Sequence, residues 1–205
     1  MTTQSIQRQP TETRKNEIVI AVLELAAHRS PAQIRTGDIS AALGLSHGAI
    51  FKHFPNKAEI WLATIEWVDL TLIGALQAAA SQHADPLAQL RAVFMAHVDF
   101  VVQHPGVPRL IFDELQRPAE SALKWRVAQM LARYRGLLMG LFEAAAARAQ
   151  TAPGLNREAA ATLFIGMVQG LVMQGMLAGT SGRLGEAAAL VFPIYLAGIT
   201  SEALP

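Results

Sequence analysis

The sequence predicts an all-α protein, a small three-helix domain followed by a larger helical domain, with about nine helices in all. Two observations carry this fold class. Alternation of apolar and polar residues with period two, which marks strands, is absent, and Ala, Leu, Glu and Gln dominate the long segments. Prolines, glycines and helix-capping side chains also divide the chain at clear points, so that each helix can be placed from its own ends.

Composition limits the class of protein further. With 205 residues, the chain is long enough for one large helical domain or a small domain carried on a larger one. It has no cysteine, which excludes disulfides, cysteine zinc sites and thiol chemistry and fits a reducing cytosol. Met1 to Glu17 is polar and has no apolar centre, so we expect a flexible arm rather than a signal peptide, and a cytoplasmic protein.

The first two helices are placed by apolar spacing and by breakers. Apolar residues recur at helical spacing between positions 18 and 26, and Ser30-Pro31 ends that helix. A second, short helix over 38–43 is entered near Thr36 and ends at Gly44. These two helices begin the small domain.

The third and fourth helices are placed by their caps. Ser46 is positioned to cap a third helix over 47–53. The residue before Pro55 is pushed out of the α region, so that helix ends there. Asn56 and Glu59 have the spacing of a capping box and start a fourth helix that runs to about Ala80.

Five further helices follow, each with its own start and stop signals. Their predicted limits are Asp85-Pro86 to His104, Val107 to Gln116, Pro118 to Pro153-Gly154, Asn156 to Gly179–Gly182, and from near Leu184 onward.

The segment from Gly44 to Lys57, GLSHGAIFKHFPNK, is basic and aromatic and contains no acid. Gly44 can supply the left-handed residue of a sharp turn between the second and third helices. Two short helices joined in this way form the helix-turn-helix plan, whose second helix lies in the major groove of DNA. Small Gly48 and Ala49 permit close approach to the duplex, whereas an acid there would repel phosphates. The pattern favours DNA binding; a short-helix corner with exposed basic residues is the alternative.

Phosphate contacts are predicted on both sides of this segment. Thr36 offers a hydroxyl at the start of the second helix, and Lys57 lies beside the N–H groups that open the fourth. Residues 1–60 hold seven Lys and Arg against five Asp and Glu, whereas residues 61–205 hold ten against eleven. This asymmetry agrees with a polyanion partner at the N-terminal end.

Residues from about Arg14 to Trp61 resemble the N-terminal domain of TetR/AcrR-type bacterial transcriptional regulators. The resemblance covers roughly a quarter of the chain, and the number and lengths of the later helices suit that family's helical regulatory domain. It is carried by Ile18, Ala21, Thr36, Asp38-Ile39, the run from Gly44 to Phe51, and His53-Phe54-Pro55-Asn56-Lys57.

The resemblance implies a homodimer that binds a palindromic double-stranded DNA operator, most often as a repressor, and that a small hydrophobic effector releases or modulates. It implies a DNA-binding domain over 12–57 and an effector-binding and dimerisation domain over 58–205. The candidate DNA-binding residues are Arg35, Thr36, Ser46, His47, Gly48, Ala49, Phe51, Lys52, His53 and Lys57.

Two departures from the family pattern concern this surface. Phe51 stands where the family usually has Tyr, which removes a phosphate hydrogen bond and keeps the packing role. Arg35 and Gly37 flank Thr36 where hydroxyl and other polar residues are more usual. Arg35 is therefore a candidate extra phosphate contact, and Gly37 lacks a side chain to read a base.

An uncharged stretch over 159–182 has small residues at four-residue spacing, which suits either a membrane span or a close helix interface. Gln169 and Gln174 in mid-segment, and the lack of flanking basic clusters and aromatic belts, favour a soluble interface with no membrane. We expect a twofold dimer formed with the last helix. The candidate interface residues are Gly166, Gly170, Gly175, Gly179, Leu190, Val191, Ile194 and Tyr195.

Bulky side chains on the middle helices suit either an ordinary core or an apolar effector cavity. The resemblance favours the cavity, since the family's ligand cavity lies among its middle helices. No cofactor or metal is expected. The candidate pocket residues are Phe94, His97, Val101, Leu110, Trp125, Tyr134, Phe164, Met167 and Met173.

No catalytic constellation stands out, so we do not expect an enzyme. The sequence has no Gly-rich phosphate loop, no G-x-S-x-G and no H-E-x-x-H. Asp113-Glu114 is a consecutive pair that suits a charge partner for Arg109 or Arg117 better than acid–base work. The leading hypothesis is a ligand-responsive dimeric regulator. The alternatives are a small-molecule-binding helical protein that no longer binds DNA and, third, an enzyme.

Overall fold

The computed structural model describes residues 11–200, which form nine α-helices and, within that range, no strand. The predicted all-α class is therefore confirmed. Single 3-10 turns occur at Pro31–Gln33 and Ser181–Arg183. The helices are α1 (Thr11–His28), α2 (Thr36–Ala42), α3 (His47–Ile50), α4 (Lys57–Ser81), α5 (Pro86–Gln103), α6 (Gly106–Leu115), α7 (Ala122–Ala147), α8 (Arg157–Ala178) and α9 (Leu184–Thr200).

The first helix begins earlier than the sequence suggests. Residues 1–10 lie outside the described part of the chain, but Thr11 to Glu17, predicted as part of a flexible arm, are helical. Ion pairs one turn apart join Arg14 to Glu17 at 2.6 Å and Lys15 to Glu12 at 3.1 Å. Such pairs stabilise a polar helix start that has no apolar periodicity of its own.

The second helix differs from prediction at its start, and the third differs at its cap and its end. α2 begins at Thr36, because the backbone N–H of Arg35 donates to Asp38 Oδ2 at 2.7 Å and fixes the first turn. Ser46 occupies the N-cap position of α3, but its side chain makes no capping hydrogen bond, so the predicted side-chain cap is wrong. α3 ends at Ile50, and residues 51–53 continue it only as a turn.

Most later limits are confirmed, and those of α7 are not. The side chains of Asn56 and Asn156 cap α4 and α8 as predicted, and Asp85, predicted only as the start of α5, also caps that helix. α7 begins at Ala122 instead of Pro118, because the Ser121 hydroxyl accepts from the N–H of Lys124. It ends six residues before Pro153, where Ala149 adopts the left-handed φ of 53°.

The helices share one continuous hydrophobic core that runs from the first three helices into the rest of the molecule. α1 packs against α2, α4 and α6, while α4 packs against α5 and α7. α5 lies at the centre and contacts α7, α8 and α9. α6 is therefore in contact with the N-terminal helices on one side and with α7 on the other.

One helix in the described range, α8, is long and apolar enough to cross a membrane by length and composition. Nearly half of its apolar stretch is buried against the rest of the protein, and a core helix of a soluble protein passes the same test. Length and composition alone therefore do not identify a membrane span here.

Candidate nucleic-acid interface and ligand cavity

The α2–turn–α3 unit has the geometry of a helix-turn-helix. Gly44 adopts a left-handed φ of 62°, and the N–H of Leu45 donates to the Ser40 carbonyl at 2.8 Å to close the turn. A side chain at Gly44 would be strained there, because left-handed backbone is costly for residues with a Cβ. Ile39 and Ile50 are fully buried beneath the turn, so the core fixes the orientation of α3.

The predicted DNA-binding residues lie together on this unit and on the first turn of α4. Arg35, Ser46, His47, Gly48, Phe51 and Lys52 are exposed, and Thr36, Ala49, His53 and Lys57 are half-buried. The ring of His53 is turned partly inward, with a buried Nδ1 that has no hydrogen-bond partner among the described residues. The Nδ1 of His53 is therefore not accessible to a DNA partner.

His47 is held by two neighbours rather than projecting alone. A hydrogen bond of 3.1 Å joins its Nε2 to the Thr36 hydroxyl, and its ring meets the edge of Phe51 with centroids 5.1 Å apart. Thr36 and His47 are 11 residues apart, so this bond ties the start of α2 to the start of α3. It leaves Nδ1 as the ring nitrogen that can face a base.

Lys57 opens α4 with its ammonium 4.8 Å from the centroid of the Trp61 ring. Partial burial lowers the pKa of Lys57, as does the nearby charge of Arg117, while Asp113 and Asp38 act in the opposite direction. Asn56 accepts from the N–H of Glu59 at 3.0 Å, so one N–H of this first turn is already satisfied. The N–H groups of Lys57 and Ala58 have no acceptor within the helix and can face a phosphate.

The only acid beside this surface in α2 is engaged by neighbours. Asp38 accepts from the backbone N–H of Arg35 and pairs with Arg29 at 3.1 Å. These two contacts, the backbone hydrogen bond first, lower the pKa of Asp38. Its negative charge is therefore partly compensated where a phosphate would approach.

A cavity of about 90 Å³ lies among α4, α5, α6, α7 and α8. Its wall is apolar apart from His97, Tyr134 and Gln169, and it contains no charged side chain. α6 supplies a whole face of it. The α6 residues are Val107, Pro108, Ile111, Phe112 and Leu115.

His97 and Tyr134 form the polar part of this wall. A hydrogen bond of 3.2 Å joins the Tyr134 hydroxyl to Nδ1 of His97, and their rings meet edge to face. Burial lowers the pKa of His97 to about 4, so the imidazole is neutral at pH 7. Burial also raises the pKa of Tyr134, whose hydroxyl stays protonated. The pair suits a neutral polar group of a ligand, not an acid.

The predicted pocket residues divide into three groups. His97, Val101 and Tyr134 line the cavity. Phe94, Leu110 and Phe164 are buried in the adjoining core and do not line it, and Phe94 and Phe164 stack edge to face at 5.4 Å. Met167 packs against the same core without reaching the cavity.

Two of the predicted pocket residues are on the surface. Trp125 is 59% exposed on the first turns of α7, and Met173 is 55% exposed on α8. Both assignments to the pocket are therefore wrong, because their helices turn other faces inward. Sequence reasoning also missed the α6 wall, which the spacing of apolar residues between 107 and 115 could have revealed.

An apolar face on α8 and α9 is not covered by the chain itself. Leu177, Leu190 and Ile194 are each more than 70% exposed, and Gly166 is exposed beside them, with Gly170 and Val191 half-buried. On α8 the exposed Leu163, Met173 and Leu177 share one helical face with Gly166 and Gly170, at spacings of three and four.

Three predicted interface residues have other positions. Tyr195 is buried, and its hydroxyl donates to the Ala160 carbonyl at 3.0 Å, so it joins α9 to α8 within the chain. Gly175 is buried. Gly179, with φ 67°, is the left-handed residue that ends α8. Placing Tyr195 and Gly175 on an outer face was wrong. Tyr195 is buried between α9 and α8, and Gly175 is buried within the protein.

Comparison with known proteins adds three findings. Residues 18–64 match the family described as bacterial regulatory proteins, tetR family. The nucleoid occlusion factor SlmA of Marinomonas sp. is 21% identical over 159 residues, which are 78% of this chain and 81% of that protein. The fatty acid degradation regulator FadR of Bacillus halodurans superposes with a TM-score of 0.81 at 17% identity, over 94% of this chain and 97% of that one.

A second solved structure has the same fold. FadR of Bacillus subtilis, in complex with stearoyl-CoA, superposes with a TM-score of 0.79 at 18% identity and covers 90% of this chain and 98% of its own. Likeness at this identity shows that the described helices share one arrangement over nearly their whole length.

Proposed function

Because this chain belongs to the TetR family of bacterial regulatory proteins by its residues 18–64, we propose that it is a ligand-responsive dimeric transcriptional regulator, acting as a repressor. It binds a palindromic DNA operator through residues 12–57 and takes a small hydrophobic effector in residues 58–205. The observation that carries the proposal is the position of α6: this helix forms one wall of the cavity and also packs against α1.

DNA binding is supported by the helix-turn-helix and its charge. α3 presents His47, Gly48 and Ala49 at its start, where the N-terminal residues of a recognition helix meet base edges. Arg35, Lys52 and Lys57 flank it, and the run from 44 to 57 has no acid. In this proposal the three basic residues hold phosphates, and His47 reads a base edge.

Dimerisation is supported by the uncovered apolar face of α8 and α9. Large exposed apolar patches mark interaction sites in soluble proteins, and a twofold dimer buries the same face of both copies. A dimer also sets two recognition helices at a fixed spacing, which is what a palindromic operator requires. The regulator is proposed to act in the cytoplasm, where its DNA lies.

Coupling between effector and DNA is supported by the position of Gly106 at the start of α6. A Cβ at this residue would lie 2.0 Å from the Leu23 carbonyl oxygen, so the backbones of α6 and α1 are in direct contact. A ligand that pushes on Ile111 or Phe112 therefore moves a helix that cannot shift without α1. Since α1 supports α2, this movement changes the distance between the two recognition helices.

The effector is proposed to be mostly apolar, like the cavity. A related structure is described in complex with stearoyl-CoA and another as a ketosteroid transcriptional regulator, KstR2 of Mycobacterium tuberculosis. Those ligands belong to those proteins, and the cavity here favours the same broad class of hydrophobic compounds.

Gel retardation of a fragment carrying the gene's own upstream region tests the proposal. We expect a retarded complex at low salt that weakens as salt rises, because phosphate contacts release counterions. A fragment of equal length from within the gene is the control. If no palindromic fragment is retarded at low salt, the protein is instead a small-molecule-binding helical protein that no longer binds DNA.

A further inference from the structure

A second cavity, of about 250 Å³, lies where the ends of α1, α5 and α8 meet the start of α6. Its wall includes Ala27, Pro105 and Met176, and Arg109 is the one charged side chain among the described residues that line it. No carboxylate lines it. This cavity is thus positively charged at one point and otherwise uncharged.

Arg109 has no partner to neutralise it. The side chain is half-buried and makes no ion pair or hydrogen bond with any residue in the described range. The acids one turn further along α6 are occupied, since Asp113 and Glu114 both pair with Arg117, at 2.9 and 3.4 Å. A partly buried guanidinium without an anion is unfavourable, so an anionic ligand would be stabilised beside it.

The two cavities are separated by a single layer of side chains. Val101, Pro108 and Val172 line both of them. The shared side chains Val101 and Val172 must therefore move aside for one ligand to occupy both cavities. A ligand that spans both would meet an apolar wall at one end and a cation at the other.

We propose that the effector is an organic anion with an apolar tail, with its acid group against Arg109 and the end of its tail in the first cavity. This inference rests on the proposed function, because it names the class of the effector. The first cavity, of about 90 Å³, is smaller than the roughly 150 Å³ that holds one benzene ring, so it takes only the end of the tail. The rest of the tail lies in the second cavity, of about 250 Å³.

Calorimetric titration of the full chain with octanoate and with octan-1-ol tests the assignment. We expect octanoate to bind more tightly than the alcohol. Arg109→Gln should weaken octanoate by about tenfold or more, because a charge-assisted hydrogen bond is lost, and should change octan-1-ol less than about twofold. Arg135→Gln, which removes an exposed arginine of α7 outside both cavities, is the matched control and should alter neither ligand.

A further arm tests the path of the tail and the source of the anion. Val172→Phe thickens the layer between the cavities and should weaken octanoate; circular dichroism establishes that this variant folds. Octanoyl-coenzyme A carries the same tail, but an uncharged thioester replaces the carboxylate and its negative charges lie on phosphates beyond the pantetheine arm. Arg109-dependent binding of either compound supports the proposal and identifies which acid group is used.

The contrary results are distinct from a failure of the proposed function. If octan-1-ol binds as tightly as octanoate, or if Arg109→Gln leaves the affinity of both anions unchanged, the Arg109 site is wrong. Gel retardation without ligand is measured on the same variants. Retained DNA binding with no anion binding would overturn only this inference, whereas anion binding without DNA retardation would overturn the regulator.

Discussion

His47 and His97 show how surroundings decide the role of the same side chain. His47 is exposed at the start of α3 and is hydrogen-bonded to the Thr36 hydroxyl through Nε2. Its other ring nitrogen can face a base edge. His97 is enclosed by apolar helices, and its pKa of about 4 keeps it neutral. The first is suited to a polar partner in a groove, and the second to a hydrogen bond inside an apolar cavity.

The burial of His97 predicts a loss of stability in acid. Its pKa is about 4 in the folded protein against 6.5 in the unfolded chain, so the unfolded chain binds more protons between these values. The free energy of unfolding should therefore fall as the pH drops from 6.5 towards 4, by about 2 kcal/mol between pH 7 and pH 5. Urea unfolding at the two pH values measures it.

A pair of variants isolates this effect. His97→Gln should remove that part of the pH dependence, and His83→Gln, which changes an exposed histidine, should keep it. Equal pH dependence in all three proteins would mean that His97 titrates normally and is not enclosed.

Substitutions at Lys57 and His47 should separate phosphate binding from base recognition. Lys57→Ala should weaken DNA binding about equally on all sequences and reduce the salt slope by about 1 per subunit, because it removes one phosphate contact. At a pH at which the His47 imidazole is neutral, His47→Ala should leave the slope nearly unchanged. It should instead alter the preferred base at one position of each half-site, at a cost of about 1–3 kcal/mol. Titrations at several salt concentrations on matched and mutated half-sites measure both.

The opposite pattern would contradict the orientation of α3. If Lys57→Ala changes the base preference and His47→Ala changes only the salt slope, the first turn of α4 lies in the groove and α3 lies outside it.

At the scale of elements, α6 contacts both the N-terminal helices and the cavity of the larger helical domain. It is ten residues long, with its start against α1 and its apolar face against the cavity. The second and third helices are too short to form a core alone and depend on α1 for support. In the proposed function, a displacement of α6 is transmitted through α1 to the α2–turn–α3 unit.

Gly106→Ala tests this contact. Because the added Cβ would overlap the Leu23 carbonyl, we expect the free energy of unfolding to fall by about 1–3 kcal/mol. Gly74→Ala is the control: it lies exposed within α4 with no atom within 4 Å of an added Cβ, and should stabilise by about 0.5–1 kcal/mol. Denaturant unfolding of both variants measures the difference. Equal stabilisation by both substitutions would show that α6 does not press on α1.

At the scale of the whole molecule, α8 and α9 present an apolar face that the described part of the chain does not cover. Its most exposed members, Leu177, Leu190 and Ile194, would be costly to keep in water together. The opposite faces of these helices are used within the chain, as the Tyr195 hydroxyl bonded to Ala160 shows. The two faces therefore have separate roles.

Ile194→Glu should convert the proposed dimer into a monomer, because a twofold interface brings the new charge into the apolar face of both copies. Light scattering at micromolar concentration measures the mass. Leu70→Glu is the matched control: Leu70 is 71% exposed, like Ile194 at 74%, but lies on α4. It should leave the mass unchanged. A wild-type protein that is already a monomer at this concentration would contradict the dimer.

The sequence alone determined the features that depend on neighbours along the chain. Asn56 and Asn156 cap their helices, and Gly44 forms the left-handed turn, as predicted. Helix caps and tight turns are set by hydrogen bonds and φ angles within about four residues, so local patterns are sufficient to place them. The basic, acid-free run that marks the candidate DNA surface is equally local.

Only the tertiary structure decided which side chains face a cavity, a core or solvent. His97, Val101 and Tyr134 line the cavity, but Trp125 and Met173 are exposed and Tyr195 is buried, although all six look alike as bulky residues on helices. The same is true of Arg109, whose position beside a second cavity depends on where α1, α5 and α8 meet. These outcomes depend on the rotation of each helix against its neighbours, and that rotation is fixed by packing between residues far apart in the chain.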